Sequence, residues 1–106
     1  MEMENQNNLF ECGDFEFYKT LFDPVRSEIL KFLAINGKKN ITEIAENFTQ
    51  DRSVISRHLE LMNRYKILNK EKLNRITFYE INSEYILEKF ETTTNTLKEY
   101  IKNKVY

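Results

Sequence analysis

Residues 51–81 read DRSVISRHLELMNRYKILNKEKLNRITFYEI, and this stretch decides the fold. Over its first half, at about 100° per residue, polar side chains fall on one arc and apolar side chains on the other. The polar arc holds Arg52, Ser53, Ser56, Arg57, Glu60, Asn63 and Arg64. The pattern predicts a helix over residues 51–66, with one face for a core and a second face rich in arginine and serine.

The second half of the stretch changes from a helical to an alternating pattern. Residues 76–81 alternate apolar with aromatic or polar side chains, which is typical of a β-strand. Asn74 tolerates the positive φ angle that a hairpin tip often needs. We therefore predict a β-hairpin, called the wing, over residues 67–81, with basic side chains at Lys70, Lys72 and Arg75.

Positive charge is concentrated in the same stretch. The whole chain has a formal net charge of −1, whereas residues 51–75 carry seven basic and three acidic side chains, a net charge of +4. Such a concentration is typical of nucleic-acid contact, because basic groups displace counterions from phosphates. A solvated face is the alternative that charge alone leaves open. The candidate DNA contacts are Arg52, Ser53, Ser56, Arg57, Lys70, Lys72 and Arg75.

Upstream of this stretch, the sequence predicts two helices after a polar tail at residues 1–8. Residues 9–22 are rich in aromatic and aliphatic side chains and predict a short helix. Asp23 can cap the next helix, and Pro24 in its first position loses only an N–H that had no partner. Gly37 is placed to end that helix in a left-handed turn.

Two short connections lead into the helix over residues 51–66. Residues 38–40 are expected to form a loop, and Thr42 is expected to cap a short helix. Asp51 is expected to cap the helix that follows. The order of helix, short helix, tight turn, helix and hairpin is that of a winged helix-turn-helix, a mostly helical fold with a β-hairpin wing.

The last segment, residues 83–104, predicts a long helix with an apolar seam. Residues 92–96 are poor helix formers, so a kink there is left open. The seam could lie on the core of its own chain or against a second copy, and we expect the second. The predicted interface of this homodimer, formed by the first and last helices, consists of Phe15, Tyr18, Ile86, Phe90, Leu97 and Ile101.

The composition excludes several classes of protein. No apolar run reaches the roughly 18 residues of a membrane helix, and the N-terminus lacks the basic and then apolar pattern of a signal peptide. One cysteine, Cys12, allows no internal disulfide, so a cytoplasmic location is expected. Cys12 and the single histidine, His58, are too few for a transition-metal site unless carboxylates complete the set, and no nucleophile–base pair or glycine-rich phosphate loop appears. We expect one domain over residues 9–106 that is not an enzyme and holds neither cofactor nor metal.

Two motifs resemble the ArsR family of winged-helix repressors. Residues 21–30, LFDPVRSEIL, look like the opening signature of that family, and residues 55–59, ISRHL, look like its recognition-helix motif. Residues 75–79 fall where its wing ends in an aromatic pair. The resemblance implies a homodimer that binds a palindromic operator in double-stranded DNA and releases it when an effector arrives.

The chain departs from that family at several positions. Metal-sensing members carry a cysteine pair where Asn40 and Thr42 stand, so the resemblance implies no metal sensing here. Glu60 stands where the family often has a basic or neutral residue, and it could pair with Arg57 or Arg64 at helical spacing. The positions where the family commonly uses glycine at helix ends hold Lys66 and Thr49, so we expect those turns to be built differently.

The leading functional hypothesis is a dimeric DNA-binding transcriptional regulator, a repressor by family resemblance. The alternative is a winged-helix module that binds a protein partner without binding DNA, which Glu60 and the acidic flanks would suit. DNA binding at low salt distinguishes the two. His58 lies on the apolar arc of its helix, so a packed and hydrogen-bonded histidine is expected there, in preference to a ligand or a pH sensor.

Overall fold

The computed structural model describes residues 12–104, and its architecture confirms the predicted fold class. The predicted tail at residues 1–8 lies outside the described residues. Five helices and three short strands follow one another along the chain. They are α1 (Cys12–Leu21), α2 (Pro24–Asn36), β1 (Lys39–Asn40), α3 (Ile41–Ala45), α4 (Arg52–Arg64), β2 (Leu68–Leu73), β3 (Ile76–Ile81) and α5 (Ser83–Lys102). No described helix is long and apolar enough to cross a membrane. The cytoplasmic location stays a prediction.

The ends of α2 are built as predicted. The Asp23 carboxylate accepts the backbone N–H groups of Val25 and Arg26, each at 3.0 Å, and Pro24 occupies the first helical position. A cap of this kind contributes about 1 kcal/mol to helix stability. At the other end, the N–H of Gly37 donates to the carbonyl of Leu33 at 2.8 Å, with a φ of +80° at the glycine. The helix therefore stops where the chain offers a residue without a Cβ.

Two expectations for the segments around α3 are wrong, and a third is met only in part. Lys39 and Asn40 form a strand that pairs with β3, so residues 38–40 are not simply a loop. The cap of α3 is Asn40, whose side chain accepts the N–H of Glu43 while the Glu43 carboxylate accepts the N–H of Asn40, both at 2.9 Å. Thr42 lies inside the helix. Asp51 holds the N-cap position of α4, as expected, but its side chain makes no cap bond. Local propensity allowed either cap, and pairing with the distant strand β3 selected Asn40.

The core lies beneath α4 and confirms the predicted division of that helix into two faces. Ile55, Leu59 and Met62 are completely buried. They pack against Ile29 of α2 and Ile44 of α3, which are also completely buried. This apolar contact holds α3 and α4 together as a helix-turn-helix and leaves the opposite face of α4 exposed.

A Schellman motif ends α4 and leads directly into the wing. The N–H of Ile67 donates to the carbonyl of Met62 at 2.8 Å, and the N–H of Lys66 donates to that of Asn63 at 3.0 Å. Lys66 carries the positive φ, +64°, that this motif needs and that glycine usually supplies. The expectation that this turn is built differently from a glycine-ended helix is wrong, because Lys66 itself adopts the left-handed conformation.

The wing is the predicted hairpin, extended by β1 into a three-stranded antiparallel sheet in the order β1-β3-β2. Leu73 pairs with Ile76 across a two-residue turn in which Asn74 and Arg75 have φ values of +50° and +72°. Two successive positive φ angles match the right-handed twist of the strands. The turn therefore holds the tip at the predicted residues.

The last helix is continuous across residues 92–96, so the poor helix formers there cause no break. The Thr96 hydroxyl donates to the carbonyl of Thr92 at 2.9 Å, so this threonine satisfies its hydroxyl within the helix. None of the residues of α5, all of which the structure describes, is fully buried. Only its first turns pack on the core, through Tyr85 and Ile86.

Candidate nucleic-acid interface

The polar face of α4 is open to solvent at its N-terminal end. Arg52, Ser53 and Arg57 are exposed and Ser56 is half-buried. Helical spacing places all four on one side of the first two turns, so the structure brings these predicted contacts together. A helix that presents such side chains can enter the major groove, where arginine and serine reach base edges and phosphates.

A hydrogen bond between α3 and α4 orients Arg52. Its Nη1 donates to the Thr42 hydroxyl at 2.8 Å. A guanidinium has five N–H donors, so this bond leaves donors for a base or a phosphate. Thr42, expected to be a helix cap, instead fixes the direction of the first arginine of the polar face.

On the buried side of α4, His58 is hydrogen-bonded to Arg26 of α2. Nη1 of Arg26 lies 3.1 Å from Nδ1 of His58, which must accept the bond, while Nε of Arg26 donates to the carbonyl of Thr20 at 2.6 Å. Burial, followed by the positive charge of Arg26, lowers the pKa of His58 and favours the neutral ring that this bond requires. The expected packed and hydrogen-bonded histidine is confirmed.

Glu60 of α4 is bonded to strands β2 and β3 of the wing. Its Oε2 accepts the Tyr79 hydroxyl at 2.6 Å, and both carboxylate oxygens lie 3.1 Å from Nζ of Lys70. The bond from Tyr79, then the pairing with Lys70, lowers the pKa of Glu60, whereas burial is the main cause that raises the pKa of Tyr79. The expectation that Glu60 pairs with Arg57 or Arg64 is wrong. The folded wing brings the Tyr79 hydroxyl and the Lys70 ammonium closer to the Glu60 carboxylate.

A second ion-pair group lies on the wing, around Lys38. Its Nζ lies 2.6 Å from Oε1 of Glu71 and 3.8 Å from Oε1 of Glu80, and the bond with Glu71 raises the pKa of Lys38. These carboxylates are therefore directed toward Lys38. Lys72 and Arg75 stay exposed and form no ion pair with any other residue in the range 12–104.

The predicted interface residues on α1 and α5 divide into two groups. Phe15, Phe90, Leu97 and Ile101 are exposed, between 39% and 60%. Tyr18 and Ile86 are half-buried within the same chain. The Tyr18 hydroxyl donates to the carbonyl of Lys89 at 3.0 Å and shares a 2.6 Å hydrogen bond with the hydroxyl of Thr93, so it joins α1 to α5.

Three further exposed side chains extend this surface and were missed from the sequence. They are Phe22, Leu87 and Tyr100, between 58% and 67% exposed. Tyr100 lies one turn after Leu97, a spacing that could have revealed it. Phe22 stacks on Tyr18, with ring centroids 6.2 Å apart. We call the exposed side chains of α1, α5 and Phe22 the apolar surface; they are Phe15, Phe22, Leu87, Phe90, Leu97, Tyr100 and Ile101.

Within residues 12–104, no group of three or more histidine, cysteine, aspartate or glutamate side chains could hold a metal ion. Apart from the Glu60 carboxylate, which is bonded to Tyr79 and Lys70, the charged groups of the α4 face and the wing tip are guanidiniums and ammoniums, and serine hydroxyls lie beside them. They can donate hydrogen bonds to anions and to base edges, and their chemistry suits a polyanion.

The chain is similar in sequence to known transcriptional regulators. A family model described as bacterial regulatory protein, arsR family, matches residues 23–70. The chain is 32% identical, over 73 residues, to an uncharacterised HTH-type transcriptional regulator of Methanocaldococcus jannaschii; the match covers 69% of this chain and 82% of that protein.

Two solved structures are similar to this chain in fold. The transcriptional repressor PagR of Bacillus anthracis is 31% identical with a TM-score of 0.60, over 66% of this chain and 79% of its own. A homodimeric winged helix-turn-helix DNA-binding domain of Mycobacterium bovis has a TM-score of 0.64 over 89% of this chain and 86% of its own. At 18% identity, that second likeness concerns the fold alone.

Proposed function

The chain belongs to the ArsR family of DNA-binding winged helix-turn-helix transcriptional regulators, and on that premise we propose a homodimeric repressor that binds a palindromic operator. The observation that carries the proposal is the exposed face of α4. Its arginines and serines stand opposite the completely buried Ile55, Leu59 and Met62, so the core presents them to an outside partner.

In this proposal, α4 is the recognition helix and lies in the major groove. Arg52 and Ser53, in its first turn, reach base edges, and Ser56 and Arg57 contact bases or phosphates one turn later. Lys72 and Arg75 at the wing tip contact the flanking backbone or the minor groove. Lys70 was predicted as another phosphate contact, but its pairing with Glu60 favours a different role, argued in the next subsection.

The second copy in the dimer covers the apolar surface. The C-terminal half of α5 exposes Leu97, Tyr100 and Ile101, and a helix that buries so little gains little stability from packing in a single chain. A twofold-symmetric pair of α1 and α5 helices would bury these side chains. Two α4 helices related by that twofold axis would read two halves of an inverted repeat, which is the reason to expect a palindrome.

Selection of duplexes from a random library by the purified protein, at two salt concentrations, tests this function. We expect an inverted repeat to be enriched, with binding lost at high salt because phosphate contacts release counterions. Arg52→Ala should relax selectivity within the repeat, whereas Lys72→Ala should weaken all duplexes about equally. No binding at low salt would refute the proposal, and a retained dimer would then indicate a module that binds a protein.

A further inference from the structure

An acidic residue on a DNA-reading helix would ordinarily repel phosphates, and the structure shows how Glu60 is accommodated. Glu60 lies on the polar face of α4, one turn after Ser56, and it faces the wing. Its carboxylate accepts one hydrogen bond from Tyr79, on β3, and two from Lys70, on β2. A single side chain of the recognition helix is therefore bound to both strands of the hairpin.

The sheet register places the two partners of Glu60 side by side. Lys70 and Tyr79 are directly opposed in the pairing of β2 with β3, so their side chains lie on the same face of the sheet. Tyr79 is 4% exposed and belongs to the core, which gives its hydroxyl a defined position. The bond between Tyr79 and Glu60 thus connects a rigid point of the wing to the exposed face of α4.

The same contacts change what Lys70 can do. Its ammonium keeps one N–H donor, but a phosphate that approached it would also approach the Glu60 carboxylate, whose negative charge repels it. Glu60 and Lys70 together have no net charge, so this part of the wing releases few counterions. The wing tip, at Lys72 and Arg75, has no such pairing with another described residue.

We infer that Glu60 is a positioning residue: it fixes the wing relative to the recognition helix and withholds Lys70 from the DNA backbone. The inference rests on the proposed DNA-binding function and deepens it. It divides the basic residues of the wing into a structural lysine at the base and DNA-contacting groups at the tip.

The salt dependence of DNA binding tests the charge part of this inference. Dissociation constants are measured for a duplex enriched by the parent protein and for an unrelated duplex, between 50 and 200 mM salt, with each phosphate contact contributing about 0.9 to the slope of log affinity against log salt. Glu60→Gln should steepen the slope by about 0.9, because Lys70 becomes available. The double variant Glu60→Gln/Lys70→Gln should restore the parent slope.

Two lysine variants calibrate that experiment. Lys72→Gln should flatten the slope by about 0.9, and Lys31→Gln, on the exposed side of α2, should leave it unchanged. The inference is overturned if Glu60→Gln leaves the slope unchanged, or if the double variant falls below the parent slope as Lys72→Gln does. Failure of the parent to bind any duplex would instead overturn the proposed function, and this inference with it.

The positioning part is tested by Tyr79→Phe, which removes one hydroxyl and keeps every charge. We expect the ratio of affinities for the enriched and unrelated duplexes to fall about tenfold, the discrimination of roughly one base contact, with an unchanged salt slope. Thermal unfolding selects a temperature at which the variant is folded. An unchanged ratio in the folded variant would refute the positioning role.

Discussion

Lys66 joins α4 to the wing, and two substitutions there test the backbone geometry of that junction. Its φ of +64° lies in the left-handed region, which costs a residue with a Cβ about 1 kcal/mol relative to glycine. Its ammonium also lies 5.6 Å from the centre of the Tyr85 ring, a contact worth about 0.5 kcal/mol at an exposed site. Lys66→Ala loses the ring contact and keeps the strain, whereas Lys66→Gly loses the contact and relieves the strain.

We therefore expect Lys66→Gly to be more stable than Lys66→Ala by about 1 kcal/mol, or about 4–8 °C in the unfolding midpoint. Urea unfolding followed by circular dichroism measures the difference, at one fixed protein concentration because association shifts apparent stability.

Lys31 supplies the matched control for this comparison. It is exposed inside α2, where alanine should be more stable than glycine by about 1 kcal/mol, so the order must reverse. If Lys66→Gly were no more stable than Lys66→Ala, the assignment of a left-handed conformation to residue 66 would be wrong.

Three other predictions concern the end of α2, the histidine beneath α4 and the apolar surface. Gly37→Ala should lower the free energy of unfolding by about 1–3 kcal/mol in urea titrations, because a φ of +80° with a ψ of −165° is open essentially only to glycine. The folded-state pKa of His58 is lowered from 6.5, so its protonation opposes folding; stability should be greatest above pH 6.5 and fall as the pH drops toward the folded-state pKa. His58→Asn should flatten that part of the stability curve, and an equally steep curve would contradict the assignment. Leu97→Glu should convert the proposed dimer to a folded monomer in sedimentation experiments, whereas Ile35→Glu, at a side chain 75% exposed on α2, should leave the proposed dimer intact. A dimer that survives Leu97→Glu would place the interface elsewhere.

Much of the helix-turn-helix could be predicted because its signals are local. Helical periodicity relates residues three and four apart, so the buried face of α4, with Ile55, Leu59 and Met62, follows from the order of side chains alone. The cap of α2 depends on Asp23 and its next three residues. The tip of the wing depends on Asn74 and Arg75 adopting positive φ. These features follow from backbone geometry over a few residues.

The arrangement of the polar groups at the candidate interface was decided by tertiary structure. Glu60 has basic residues at helical spacing, yet it pairs with Tyr79 and Lys70, 19 and 10 residues away, because the hairpin folds back on α4. Lys38 meets Glu71 across 33 residues. Such pairs form at little further entropic cost once the core has placed their backbones, and no periodicity within one segment encodes them. Local sequence patterns predicted the helices, the hairpin and the exposed face of α4, but not the short strand β1, which forms only by pairing with β3. Packing decided which charges on that face are neutralised within the protein and which remain for a partner.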